Sequence, residues 1–241
     1  MSRSQVKRSN LLFDNLSDAT RRRIEPQARF VHFDRGEVVF RPGDPVRRVI
    51  FPFVGTMASL LVVDEDGTGI EAGVVGCEGV VGIQAALGQV AAAHQCVIQI
   101  AGDAISIPAE VLAWEFERDA SMQKRILQYI AYLLAQISHT ALCNRLHPAD
   151  ERLARWLLMC QDRAQTDELF LTHELLAQML GTRRATVSLS AGALQAAGLI
   201  RYVHGKLTII DRAGLLSATC SCYEALRRYE REYMNNGNHP D

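Results

Sequence analysis

The chain has 241 residues, 48% of them hydrophobic, with 26 Lys and Arg against 27 Asp and Glu for a net charge of -1. That composition excludes a disordered chain and suits two domains that each bury a core. No stretch approaches about 20 unbroken apolar residues, and "MSRSQVKRSNLLFDN" lacks a signal-peptide core, so no membrane partner and a cytoplasmic location are expected.

At the N-terminus, Leu11, Leu12, Leu16 and Ile24 recur in a helical rhythm, and Ser17 can cap "DATRRRIEPQA". Arg21, Arg22 and Arg23 read as a solvated face. From about Phe30 the period changes. Runs rich in Val, Ile and Phe are broken at Arg35-Gly36, Pro42-Gly43-Asp44, Val54-Gly55 and Asp66-Gly67. Short β-prone runs between closely spaced turns predict an antiparallel barrel or sandwich. "HQCVIQI" and "AISIP" continue it, and "EGVVGIQAALGQVAAA" reads as a short helix with loops.

After Pro108 the chain turns helical. "ASMQKRILQYIAYLLAQISHTALCNRL" contains no Gly or Pro and carries two apolar stripes. Met122, Ile126, Tyr129 and Leu133 form one, expected to pack on the chain's own β domain. Leu127, Ile130, Leu134, Ile137 and Ala141 form the other, expected to meet a second copy. A helix buried wholly within a monomer is the alternative. His147-Pro148 marks a break, and "ADERLARWLLMCQDRA" predicts an amphipathic helix with Leu153, Trp156, Leu157 and Cys160 inward.

Next comes a short helix, "HELLAQML", which Thr172 can cap. Gly181 supplies a tight turn, and Thr182 can cap a second helix beginning at Arg183 and ending at Gly198. "LIRYV" and "KLTIID", separated by His204-Gly205, read as a hairpin. Helix, turn, helix and hairpin together describe a winged helix-turn-helix. From Thr172 to Lys206, four cations (Arg183, Arg184, Arg201, Lys206) face one carboxylate, Glu174, a local charge of +3. Phosphate binding responds to that local field, not to the total. An arginine at the start of the second helix can bond guanine O6 and N7 in the major groove. His204 and Lys206 on the wing can reach the backbone.

The segment "LTHELLAQMLGTRRATVSLSAGALQAAGLIRYVHGKLTII" resembles the bacterial cyclic-AMP receptor protein / FNR family, and "RGEVVFRPGD" and "VGTMASLLVVDEDG" are similar to that family's first β-roll turns. The resemblance implies an α+β chain: a β-roll sensor with flanking helices over 1–118, a dimerisation helix over 119–146, and a winged-helix DNA-binding domain with a C-terminal helix over 147–241. It implies a homodimeric transcription regulator, not an enzyme, with a palindromic double-stranded DNA site and RNA polymerase as partners. Arg184 matches the family's guanine-reading arginine, and Arg183 is an added cation. Thr172, Gln178 and Thr186 match polar positions that touch phosphate or line the helix pair, and Ser188 adds a hydroxyl on the same helix that suits phosphate. His204, Gly205 and Lys206 match the wing turn. Ala185 replaces a common acidic residue and Leu189 a second base-reading arginine, which implies a different half-site.

The sensor departs further. Val80 stands where the ribose-binding Glu is expected, and Ala92-Ala93 where Arg-Ser would hold the cyclic phosphate. The candidate effector pocket is Glu78, Val80, Val81, Ala92 and Ala93. Without a guanidinium it does not suit cyclic AMP in the family's usual mode, and the effector is left open. An N-terminal iron–sulfur cluster is not expected, since the first cysteine is Cys77. Haem sensing needs an axial ligand such as His94 or His139, but scattered histidines of this kind read as structural. The spacing of Cys and His predicts no metal set. Cys77, Cys96, Cys220 and Cys222 are candidate redox thiols, weighed against simple burial. A non-DNA signalling module, with the β-roll and winged helix mediating protein contacts, is the alternative function.

Overall fold

The computed structural model describes residues 8–89 and 91–235. Helices α1 (Leu11–Asp14) and α2 (Asp18–Ile24) come first, and Ser17 accepts from Thr20 N to cap the latter. Strands β1 (Arg29–Phe33), β2 (Val38–Phe40), β3 (Arg48–Pro52), β4 (Met57–Val63), β5 (Gly69–Val75), β6 (Gln95–Ile100) and β7 (Gly102–Pro108) build two antiparallel sheets, ordered β1-β7-β3 and β2-β6-β4-β5. A 3₁₀ helix, Ile83–Leu87, interrupts them. Helices α3 (Ala109–Arg118), α4 (Ala120–Leu146) and α5 (Ala149–Ala164) follow. Then come β8 (Glu168–Phe170), α6 (His173–Met179), α7 (Arg184–Ala196), β9 (Ile200–Val203), β10 (Lys206–Ile209), α8 (Arg212–Ser217) and α9 (Cys222–Asn235). The fold is the expected α+β chain of β-roll, long helix and winged helix-turn-helix.

The short runs close because their alternating apolar residues share one interior. Val49, Phe51, Ile98 and Ile107 fill the roll, joined by Leu12, Ile24, Leu112, Met122, Ile126 and Tyr129 from the flanking helices. One stripe of α4 is thus spent on the roll. Along the other, Leu127, Leu134 and Ala141 are exposed, Leu134 at 63%, and Ile130 and Ile137 are half-buried. By length and composition α4 could cross a membrane, with a mean hydropathy of 1.2. Here, however, it buries Gln136 and Thr140 inside the protein, and Gln136 Oε1 accepts from Val74 N at 2.6 Å.

A second core runs across the two halves of the molecule. Met57, Leu61 and Val74 of the roll pack with Trp156, Leu157, Leu176 and Met179. At its centre is α5, whose residues from Arg152 to Gln161 are all buried. The amphipathic reading of that helix needs correction: its polar side is covered too, by the roll on one flank and by α8 and α9 on others. Arg163 there donates to Glu78 Oε1 from Nε (2.9 Å) and Nη2 (2.6 Å). A Cβ at Gly76 would stand 2.8 Å from Arg163 Cγ, so glycine lets the guanidinium through. Glu71 accepts from Trp156 Nε1 at 2.8 Å and from Ser59 Oγ.

Two smaller expectations also change. Arg23 is not merely solvated: it grips the buried Glu115 with bonds of 2.7–3.0 Å and reaches Asp119. The C-terminal helix α9, expected beside the winged domain or a partner, does pack Tyr223 and Leu226 into the head's core, and in addition lies on its own chain's α4 and roll. Tyr233 stacks on Tyr132 with centroids 5.6 Å apart and donates to Glu78 O at 3.0 Å.

Burial raises the Glu71 carboxyl from its ordinary 4.5 to about 7, against the opposing pull of Ser59, Trp156, Arg155 and Arg163. The folded chain keeps this proton where the unfolded chain releases it. Stability therefore falls as pH rises from about 4.5 to about 7, by up to roughly 3 kcal/mol, then levels off. Urea unfolding across that window checks it, and Glu71→Gln is expected to remove this part of the pH dependence. Arg163→Ala strands the Glu78 carboxylate and is expected to cost about 3–5 kcal/mol, part of it recovered by adding Glu78→Gln.

Candidate nucleic-acid interface

The pair α6 and α7 is set by short-range chemistry. Thr172 Oγ1 accepts from Leu175 N at 3.1 Å, capping α6. Gly181, at φ 55°, makes the turn. The cap of α7 falls one residue later than the sequence suggests: Arg183 is the N-cap residue, without a side-chain cap bond, and the helix starts at Arg184. Thr182 instead donates its backbone N–H to Ala177 O at 2.9 Å, closing the end of α6. Val187, Ser190, Ala191 and Leu194 turn inward and hold α7 on α5.

The opposite face of α7 is turned to solvent. Arg183, Arg184, Ala185, Ser188 and Leu189 are exposed, Leu189 at 77%. Arg184 Nε lies 3.0 Å from Glu174 Oε1, both side chains 68% exposed, an ion pair that water and salt weaken and that phosphate can displace. Ser188 Oγ bonds to Arg184 O (3.1 Å) and to His173 Nδ1 (2.9 Å). His173 in turn stacks on Tyr202 at 4.6 Å. These contacts tie the first turn of α7 to α6 and to the wing.

The wing is a three-stranded sheet ordered β8-β10-β9, one strand more than the hairpin read from the sequence. Lys206 pairs with Val203, and the two residues between them, His204 (φ 48°) and Gly205 (φ 79°), both adopt left-handed backbone. Such a two-residue turn matches the twist of its strands and favours Gly at the second position. It leaves His204 exposed at the tip. Lys206 Nζ lies 2.7 Å from Glu168 Oε1 on β8, an acidic neighbour outside the segment whose charge was counted.

Not every candidate faces open solvent. Gln178, Thr182, Arg183 and Thr186 line a groove of about 790 Å³ whose other wall is Gly67–Ile70, the tip between β4 and β5. The start of the second helix thus looks partly toward the sensor.

Most of the candidate effector positions are buried. Glu78 is buried against Arg163, and Val80, Val81 and Ala92 are packed in the roll's core, while Ala93 is exposed. Tyr129 Oη donates to Val80 O at 3.1 Å, and Tyr132 Oη accepts from Arg163 Nη2 at 3.1 Å. The guanidinium that does stand beside Glu78 is that of Arg163, 85 residues along the chain, and it is bonded to the carboxylate itself. No local spacing announces it. Burial pushes the Cys77 and Cys96 thiols up to about 12, so neither is a thiolate near neutral pH. The remaining two candidate thiols, Cys220 and Cys222, lie with Cys143 and His147 in one cluster.

Comparison with known proteins agrees with this geometry. Residues 151–218 match the model of the Crp-like helix-turn-helix domain. The transcriptional regulator SdrP of Thermus thermophilus is 28% identical over 193 residues, 77% of this chain and 91% of that protein. FixK2 from Bradyrhizobium japonicum superposes with a TM-score of 0.68 at 17% identity, over 80% of this chain and 98% of FixK2. A transcriptional regulator of the CRP/FNR family from Thermus thermophilus superposes with a TM-score of 0.63 at 24% identity, over 81% of this chain and 98% of its own. Residues 151–218 are therefore a Crp-like helix-turn-helix domain, carried on a chain with the fold of the Crp/FNR regulators.

Proposed function

We propose that this chain is a homodimeric, sequence-specific DNA-binding transcription regulator, with RNA polymerase as its downstream partner. The observation that carries the reading is the outer face of α7: two adjacent arginines at its N-terminus, exposed beside a basic wing. Arg184 reads a guanine, and Arg183, Thr172, Thr186, Gln178, Ser188, His204 and Lys206 serve phosphate contact and the seating of the helix pair. Leu189 and Ala185 offer methyl contacts where polar base readers would otherwise stand.

The second copy docks along α4. Leu127, Leu134 and Ala141, with Ile130 and Ile137 beside them, form an apolar stripe at alternating spacings of three and four, the seam of a two-helix coiled coil. Leu142 and Leu146, also exposed, prolong the apolar surface to the helix end. A pair of heads about 34–36 Å apart then reads two half-sites of a palindrome.

The sensor does not take cyclic AMP in the family's usual mode. The space beside Glu78 is filled by Arg163, Tyr132 and Tyr233 of the same chain. A signal acting there works by changing the equilibrium between this docked head and one whose α7 is clear of the β4–β5 tip.

Arg184→Ala is expected to weaken binding to a palindromic promoter fragment by about 1–3 kcal/mol and to relax preference at one base pair, read by titration against a library of half-sites. Affinity and sequence preference unchanged in Arg184→Ala refute the assignment of the reading helix, whereas no DNA binding by the parent at any salt favours a protein-contact module. Leu134→Glu is expected to yield monomers in sedimentation velocity and to lose palindrome affinity, while leaving the far-ultraviolet circular dichroism of the folded chain unchanged, because the site is exposed on the single chain.

A further inference from the structure

Four soft donors meet where the long helix ends. Cys143 lies in the last turn of α4, His147 directly follows it, and Cys220 and Cys222 stand at the start of α9. Their ligand atoms all lie within 4.8 Å of one another. Cys143 Sγ is 3.5 Å from Cys220 Sγ, and Cys222 Sγ is 3.6 Å from His147 Nδ1. A disulfide would need about 2.05 Å. Around a tetrahedral zinc, with Zn–S about 2.3 Å and Zn–N about 2.0–2.1 Å, two sulfurs stand about 3.8 Å apart and a sulfur and nitrogen about 3.6 Å. The Cys143–Cys220 and Cys222–His147 spacings sit close to those values, and all four atoms lie within 4.8 Å of one another. An iron–sulfur cluster of two or four irons divides four ligands among those irons and so spreads them wider than one shared ion does.

Arg155 supplies a second, independent observation. It is buried, its Nε has no hydrogen-bond partner among the described residues, and its Nη1 reaches Met159 Sδ at 3.5 Å. The guanidinium lies near enough to act electrostatically on all three thiols. A buried cation without an anion is costly. Three thiolates and a neutral imidazole around a dication carry a charge of -1, a countercharge for a guanidinium that hydrogen-bonds no carboxylate among the described residues, Glu71 acting on it only through space.

We propose that Cys143, His147, Cys220 and Cys222 hold one zinc ion in a structural Cys₃His centre, with Arg155 as its countercharge. Binding converts three thiols to thiolates and releases their three protons to solvent, while the imidazole binds through Nδ1. The ion staples the junction of α4 and α5 to the root of α9. The far end of α9 carries Tyr233 onto Glu78, so the staple also fixes the tail that covers the sensor's buried ion pair.

The test uses the full chain, purified reduced and without chelators. Elemental analysis is expected to find about one zinc per chain, and a strong chelator to lower its thermal midpoint. Replacement by Co²⁺ is expected to give the intense visible bands of tetrahedral cobalt with sulfur-to-metal charge transfer in the near ultraviolet. Cys222→Ser and His147→Ala are expected to weaken zinc binding by more than about 10–100-fold, the usual loss for an outer-shell partner alone, with Cys77→Ser as the unaffected control. Should Cys222→Ser fail to fold, the cobalt spectrum of the parent still decides. A folded, reduced chain without stoichiometric metal overturns the proposal. So does an octahedral cobalt spectrum, a stoichiometric metal other than zinc, full zinc affinity in both ligand variants, or a Cys143–Cys220 disulfide in the protein as isolated.

Discussion

The ion pair in which Arg163 Nε and Nη2 both donate to Glu78 Oε1 joins the last turn of the first helix of the head to the loop that follows β5 of the sensor. Both side chains are almost wholly buried. Such a pair adds little net stability, because each charge loses its hydration on the way in. What it adds is position. A guanidinium that fits only one carboxylate, through a gap that only Gly76 leaves open, admits one relation between α5 and the roll. Tyr132, Tyr129 and Tyr233 are packed around that pair, so the long helix and the tail are registered against it too.

The burial of α5 on all sides follows. A helix covered on one face can slide or rotate on its neighbour at modest cost. Here Trp156 is tied to Glu71, Arg152 donates to Leu180 O at 2.9 Å, and Arg212 bonds Asp162 at 2.7 Å. Those directional bonds ring the helix with polar partners while Leu153, Leu157 and Leu158 supply the apolar contact. Head and sensor therefore share one core rather than meeting across a wet seam. Among the bonds to α5, the one from Trp156 goes to Glu71, whose carboxyl burial raises to about 7.

Much of the architecture was legible because it rests on local rules. The turns at Arg35-Gly36, Pro42-Gly43 and Asp66-Gly67 delimit strands, Ser17 and Thr172 cap helices, and His204-Gly205 makes a two-residue turn. The two stripes of α4 separate into one packed on the roll and one exposed. The errors arose where a distant partner overrode a local preference. Arg23 has its carboxylates 92 and 96 residues away. Strand β8 is three residues long and exists because β10 offers it an edge. The start of α7 slips from Arg183 to Arg184 because Thr182 is drawn back to the end of α6.

The sequence by itself determined the order of elements, the apolar stripes, and the arginines and wing of the reading head, because periodicity, caps and turns act over a few residues. Only the tertiary structure decided what stands beside Glu78 and what gathers at the root of α9. Arg163 reaches Glu78 across 85 residues, and Cys143 meets Cys220 across 77. A long-range pairing of single side chains leaves no periodic trace along a chain, since any one of its polar residues could find any other until the packing of apolar surfaces fixes which two are brought together.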